Sequence, residues 1–94
     1  MLFIIQCTDK PDSGHVRAAN RGDHLAYLES FGTQVFAAGP ILTDDGSAMT
    51  GSLLIMEFED RAAADRFAAD DPYAKAGLFE SVTIRPWRKV LPKS

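Results

Sequence analysis

A histidine and an arginine share one face of a predicted helix near residue 24. In a helix, His24, Leu28 and Phe31 are separated by four and three positions, so the imidazole lies on an apolar stripe. Arg21, three residues before the histidine, adds a cation to that stripe. Because histidine titrates near neutrality, such a ring can remove or deliver a proton without a metal. The competing interpretation is a core histidine that is hydrogen-bonded to a backbone carbonyl.

The carboxylate of Asp71, directly before Pro72, is the next group that could take part in a reaction. Pro72 suits the first position of a short helix, Asp71 its N-cap and Gly77 its end. Capping gives Asp71 a complete structural explanation, although the same carboxylate can also face a neighbouring cleft. Cys7 lies in a predicted strand, where a buried hydrophobic role is favoured over that of a nucleophile.

Composition and charge limit the kinds of partner. The 94 residues, 46% hydrophobic and 24% charged, predict one domain over residues 1–94 that buries about two-thirds of its unfolded surface. A net charge of −3 argues against nucleic acid and anionic membranes, which attract basic patches. Without a signal peptide or spanning segment, a cytoplasmic location is expected. Cys7 is the only cysteine, so an internal disulfide and a cysteine-based metal site are excluded, and no metal is predicted.

The order of apolar runs predicts four strands and two main helices. The strands are expected at residues 2–7, 34–39, 51–58 and 78–84, with residues 85–91 as an extended tail. The first helix begins near residue 14, is capped by Asp12 or Ser13, and is expected to kink or break at Gly22 before ending at Gly32. Asp60 caps a second helix over residues 61–69. Residues 39 and 40, Gly-Pro, are expected to end or bend the second strand.

This β-α-β-β-α-β order predicts an α+β, ferredoxin-like fold with a four-stranded antiparallel sheet. Both helices would cover one face of the sheet. Residues 2–5 and 53–56 are apolar on both faces of their strands, which predicts that the other face is also covered. A second copy of the chain is the simplest cover, and a two-fold homodimer is therefore expected.

The same residues resemble the YciI-like (YCII-related) family over nearly the whole chain. The resemblance rests on short motifs in their characteristic order and spacing: residues 24–28 (HLAYL), 38–40 (AGP), 50–52 (TGS), 69–73 (ADDPY), 76–77 (AG) and 82–87 (VTIRPW). It implies a dimeric α+β barrel whose pocket holds a histidine, corresponding to His24, in a His–Asp pair. It also implies relatives that include a dehydrochlorinase of a chlorinated hydroxyhydroquinone.

Two departures from the family pattern bear on the acidic partner. Some relatives place a carboxylate near the second strand, where this chain has Thr33 and Gln34, and Gly22 stands where proline is frequent. Asp71 is then the best candidate to pair with His24, because Asp23, adjacent to the histidine in the helix, would diverge from it.

The predicted site combines an acid–base pair with groups that bind an anion. His24 and Asp71 are the predicted catalytic residues, and the predicted substrate-binding residues are Arg21, Gly39, Pro40, Ser52 and Tyr73. Such a set suits lyase or isomerase chemistry on a small cyclic or aromatic anion without a cofactor. A binding or accessory protein would use the same pocket without turnover, and a purely structural dimer would fill the cleft with side chains.

Overall fold

The computed structural model describes residues 1–93, which form four strands and three α-helices. In chain order the elements are β1 (Leu2–Asp9), α1 (Gly14–Glu29), β2 (Val35–Leu42), β3 (Met49–Glu57), α2 (Arg61–Asp70), α3 (Pro72–Lys75) and β4 (Phe79–Trp87), with a 3-10 turn at Gly32–Gln34. The strands pair antiparallel in the order β2-β3-β1-β4. The predicted ferredoxin-like α+β fold is confirmed.

The core lies between the helices and one face of the sheet. Alternate side chains of β1, namely Phe3, Ile5 and Cys7, are buried and point toward the helices, as strand geometry requires. Leu28 of α1 and Phe67 of α2 pack into the same cluster. Among residues 1–93, no helix is long and apolar enough to cross a membrane.

The opposite face of the sheet is apolar and partly exposed. Leu2 and Ile4 of β1 are half-buried there, and Leu53 of β3 is 38% exposed beside the half-buried Ile55. The two central strands are therefore apolar on both faces. Coverage of this face by a second copy of the chain stays a prediction.

Of the kink or break expected at Gly22, the break is wrong, because α1 runs unbroken past Gly22 to Glu29. Gly22 is exposed, with no heavy atom near the position that a Cβ would occupy. Its cost of about 1 kcal/mol relative to Ala is offset by the packing of the buried stripe that contains Leu28. At the other end, the Ser13 side chain makes no capping hydrogen bond, whereas the predicted cap of α2 is present as Asp60 Oδ1 accepting from the Ala63 amide at 2.9 Å.

Two strand boundaries also differ from expectation. Pro40 neither ends nor bends β2 out of the sheet, because β2 is an edge strand in which a residue without an N–H is tolerated. Strand β4 extends to Trp87, and its last residues pair with Leu2 and its neighbours in β1 instead of forming a tail. The Gly-Pro pair therefore lies within the sheet, beside α1.

Candidate active site

Four polar or charged side chains are buried in residues 1–93, and their contacts bring them together. Arg17 and His24 come from α1, Ser52 from β3 and Asp71 from the turn before α3. Buried ionisable groups are costly unless they are paired, so their convergence marks this region as more than packing.

His24 and Asp71 form a direct pair. The imidazole Nδ1 lies 2.8 Å from Asp71 Oδ1, and both side chains are more than nine-tenths buried. The same carboxylate oxygen accepts the Tyr73 amide at 2.9 Å, so one atom caps α3 and holds the imidazole. Pro72 at the start of α3 fixes the backbone that presents the carboxylate. Asp71 is thus both the cap of α3 and the partner of His24, two roles that the sequence allowed to coexist.

Tyr73 is stacked on the histidine. Its ring centroid lies 3.9 Å from that of His24, with the two planes 13° apart. The Arg17 guanidinium carbon lies 4.7 Å from the same ring centroid. Burial raises the pKa of the Tyr73 phenol, although the positive charges of Arg17 and Arg21 act in the opposite direction. The phenol is therefore a neutral ring that supports the imidazole near pH 7.

Arg17 and Asp9 are site residues that the sequence did not reveal. Arg17 donates through Nε to Asp9 Oδ2 at 2.8 Å and through Nη2 to Asp9 Oδ1 at 2.9 Å, and Nη2 also donates to Ser52 Oγ at 2.9 Å. Burial disfavours the charge, but the hydrogen bonds and charge of Asp9 outweigh it and raise the pKa of Arg17. One signal was present, since Arg17 precedes His24 by seven positions and so shares its helix face.

The paired histidine lines a cavity of about 250 Å³ between α1 and the strands β2 and β3. Each predicted substrate-binding residue also lines it: Arg21, Gly39, Pro40, Ser52 and Tyr73. The exposed Arg21 has no ion-pair partner within residues 1–93. The cavity therefore combines an acid–base pair, a cation and apolar walls, although the functional role of each residue stays a prediction.

Cys7 is poorly suited to act as a nucleophile. Burial, followed by the negative charges of Asp71 and Asp9, raises the pKa of Cys7 to about 12, so the thiol stays protonated at neutral pH. Its side chain belongs to the core cluster. Within residues 1–93, no three His, Cys, Asp or Glu side chains are grouped as a metal site requires.

A larger, more open hollow of about 610 Å³ lies at the other end of the sheet, beside Met1 and Trp87. None of the four buried polar or charged side chains lines it. The smaller cavity is therefore the candidate active site.

Comparison with known proteins identifies the family of this chain. The family model of the YCII-related domain matches residues 1–88. The chain belongs to the YCII-related family. Within it, this YCII-related chain is 40% identical over 97 residues to Protein YciI of Escherichia coli, with 96% of this chain and 99% of that protein covered.

A solved structure gives this YCII-related protein a relative with a named activity. The 5-chloro-2-hydroxyhydroquinone dehydrochlorinase of Burkholderia phenoliruptrix, in complex with 2,5-dihydroxybenzoquinone, is 41% identical, with a TM-score of 0.87 and 94% of each chain covered. An antibiotic biosynthesis monooxygenase is 18% identical, with a TM-score of 0.58 and coverage of 96% of this chain and 99% of the other. The second likeness shows a shared fold alone.

Proposed function

We propose that this protein is a cofactor-independent enzyme that uses His24 as a general acid and base on a small cyclic or aromatic anion, in a lyase or isomerase type of reaction. The observation that carries the proposal is the 2.8 Å contact between His24 Nδ1 and Asp71 Oδ1 in the wall of a cavity. An imidazole held by a carboxylate and facing a ligand-sized space is the arrangement that proton transfer needs.

The contact between His24 and Asp71 determines which imidazole nitrogen can exchange a proton with a ligand. Because Asp71 engages Nδ1, Nε2 is the ring atom left to exchange a proton with a ligand. No hydrogen bond to Nε2 is present among residues 1–93, and in that region no fully buried side-chain nitrogen lacks a partner, so Nε2 is accessible. Asp71 would fix the tautomer and stabilise the imidazolium that forms when His24 takes up a proton.

The remaining wall suits a single-ring anion. Arg21 supplies a cation without an ion-pair partner, and Ser52 supplies a hydroxyl. A volume of about 250 Å³ is small beside the 300–1,000 Å³ that drug-sized ligands occupy, which favours one six-membered ring over a fused system. Gly39 and Pro40 form the wall opposite α1 without long side chains that would fill it.

The dehydrochlorinase relative supports this class of reaction. Removal of HCl from a chlorinated hydroxyhydroquinone needs only proton movements. One hydroxyl proton moves to the ring carbon, a second is released, and chloride leaves with the electron pair of its bond to give a hydroxyquinone. No oxidant or reductant is consumed. A histidine that alternates between base and acid can carry both proton steps, each worth about 10²–10⁴-fold in rate.

The sheet supports assembly as a homodimer. The partly exposed apolar face around Leu53 would be covered by the same face of a second copy, and isologous two-fold pairing of this kind is the commonest form of oligomer. We further propose that the dimer works in the cytoplasm on a small-molecule anion, and that neither nucleic acid nor membrane is a partner.

Chloride release tests the proposed reaction. The purified protein is incubated with 5-chloro-2-hydroxyhydroquinone under argon, and free chloride is followed with an ion-selective electrode. Release should be catalytic and should fall about 10²- to 10⁴-fold in His24→Asn. Release that is equal in both proteins would contradict the role of His24.

A non-catalytic binding or accessory role is the alternative, since the same residues would bind an anion without turning it over. Tight binding of 2,5-dihydroxybenzoquinone, without proton transfer or chloride release on any chlorinated hydroxyquinol tried, would favour this alternative. A purely structural dimer would instead fill this cavity with side chains of the second copy, and it would neither bind the quinone nor release chloride.

A further inference from the structure

Arg17 is buried, charged and not in itself an acid–base group at neutral pH. Its Nε and Nη2 atoms donate to the two oxygens of Asp9 at 2.8 and 2.9 Å, so the guanidinium is held in a fork by one carboxylate. Such bidentate pairing fixes the plane of the guanidinium as well as its position. Asp9 in turn lies at the end of β1, where the pairing with β4 shifts register.

The contact with Ser52 has only one possible direction. Arginine carries donors and no acceptor, so Ser52 Oγ must accept the hydrogen bond from Nη2 at 2.9 Å. The hydroxyl proton of Ser52 is then free to point elsewhere, and no acceptor for it is present among residues 1–93. Ser52 lines the same cavity as His24. The proton is therefore available to an oxygen atom on a ligand.

We infer that Arg17, locked by Asp9, is a positioning residue that turns the Ser52 hydroxyl into a dedicated hydrogen-bond donor for a ligand oxygen, such as a phenolate or quinone carbonyl. This inference rests on the proposed function, because it assumes an oxygen-bearing ligand in the cavity beside His24. A ligand would then contact two fixed groups in the cavity: the hydroxyl of Ser52 on β3 and the imidazole of His24 on α1.

The same guanidinium also contacts the ring that supports the histidine. Its carbon lies 4.7 Å from the centroid of Tyr73, and the Tyr73 ring stacks on His24 at 3.9 Å. Arg17 thus contacts the hydroxyl donor directly and the histidine through one intervening ring. Since Asp9 balances its charge, Arg17 adds no net charge to the cavity, and Arg21 is left as the cation that faces an anionic ligand.

A double-mutant cycle separates this role from general structural support. The dissociation constant of the coloured probe 2,5-dihydroxybenzoquinone is measured by absorbance titration for the wild type, Ser52→Ala, Arg17→Lys and the double variant. Lysine keeps the charge but cannot form the fork. We expect each single substitution to weaken binding about tenfold, the loss typical of one hydrogen bond. The double variant should be no weaker than Ser52→Ala by more than about twofold.

Controls keep the test decisive if Arg17→Lys does not fold. Asp9→Glu keeps the charge balance of the fork but moves the carboxylate, and it should weaken binding in the wild type but not in the Ser52→Ala background. Arg66→Lys, an exposed arginine of α2, should change nothing. Losses that multiply to about 100-fold in the double variant would overturn the inference, as would Asp9→Glu and Arg17→Lys proteins that both bind the probe like the wild type.

The two proposals can fail separately. Probe binding that depends on Arg17 only through Ser52, together with full turnover in His24→Asn, would uphold the inference and overturn the acid–base mechanism. A wild type that turns over substrate through His24 but binds the probe independently of Ser52 would do the reverse. A wild type that does not bind the probe at all would overturn the ligand-oxygen subsite.

Discussion

One carboxylate oxygen of Asp71 lies 2.8 Å from the imidazole Nδ1 of His24 and also accepts the first free amide of the following helix. The helix cap therefore fixes the direction of the carboxylate that contacts His24. Because the Tyr73 amide and the His24 imidazole contact the same oxygen atom, loss of this carboxylate would remove both the cap and the partner of the histidine.

Removing this carboxylate should cost both stability and proton transfer. Asp71→Ala is expected to lower the free energy of unfolding by about 0.5–2 kcal/mol through the lost cap, and to slow proton transfer about 10²- to 10⁴-fold through the lost partner of His24. Asp60→Ala is the matched control, because Asp60 caps α2 in the same way but does not contact His24. Thermal unfolding and chloride release measure the two effects. If Asp60→Ala slowed the reaction equally, the pair would have no special role.

Filling the cavity should abolish binding without unfolding the protein. Ala38 of β2 is exposed and lines the cavity, so Ala38→Leu would extend into the space a ligand needs. We expect affinity for 2,5-dihydroxybenzoquinone to fall at least about tenfold, with little change in Tm. Ala62→Leu, an exposed change on α2, serves as the control in the same titration. Unchanged affinity in Ala38→Leu would place the ligand elsewhere.

The fold should lose stability as the pH rises from 9 to 12. Burial is the main cause that raises the pKa of Cys7 from 9.0 to about 12 and that of Tyr27 from 10.0 to about 12. The unfolded chain therefore releases these protons first, so their stabilisation is complete below about pH 9 and is lost toward pH 12. Urea unfolding at pH 8, 10 and 11 measures the decline. Tyr27→Phe should flatten it, whereas a wild-type free energy independent of pH would contradict the burial of these groups.

The sheet face around Leu53 should hold two chains together. Sedimentation equilibrium at micromolar concentration is expected to give twice the chain mass of 10.3 kDa. Leu53→Lys would place a charge in that interface and should give monomers, whereas Ala62→Lys on α2 should not. A wild type that sediments as a monomer would contradict the homodimer.

The sequence predicted the parts of the site that local patterns encode. Helical spacing places His24 on an apolar stripe, and a carboxylate before Pro72 at a helix start identifies Asp71 as a cap, whereas the pairing of the two residues was implied by the family resemblance. Arg17 and Asp9 were missed because their pairing joins a strand end to a helix face, and only the fold shows that each of the two side chains is just 7% exposed. Because most arginines in proteins are exposed, burial of Arg17 could not be predicted without knowing its partner.

The boundary errors have a similar origin. Gly22 was expected to break α1 from its local helix propensity, but the packing of the opposite face determines whether a helix continues. Pro40 was expected to end β2 because a central strand excludes proline, and the sequence does not show that β2 is an edge strand. Helix packing and strand order both depend on the whole chain, so neither outcome could be predicted from a short stretch of sequence.

The most direct test of proton transfer by His24 uses hydrogen exchange on the ring of 2,5-dihydroxybenzoquinone. In deuterated buffer, exchange adds a deuteron to a ring carbon and removes the original hydrogen, so it requires neither a leaving group nor an oxidant. Proton NMR would follow the loss of the ring signal with the wild type, His24→Asn and buffer alone. We predict that the wild type accelerates exchange at least about 10²-fold over buffer and that His24→Asn loses this acceleration. Binding of the quinone without accelerated exchange, or equal acceleration by His24→Asn, would contradict the account.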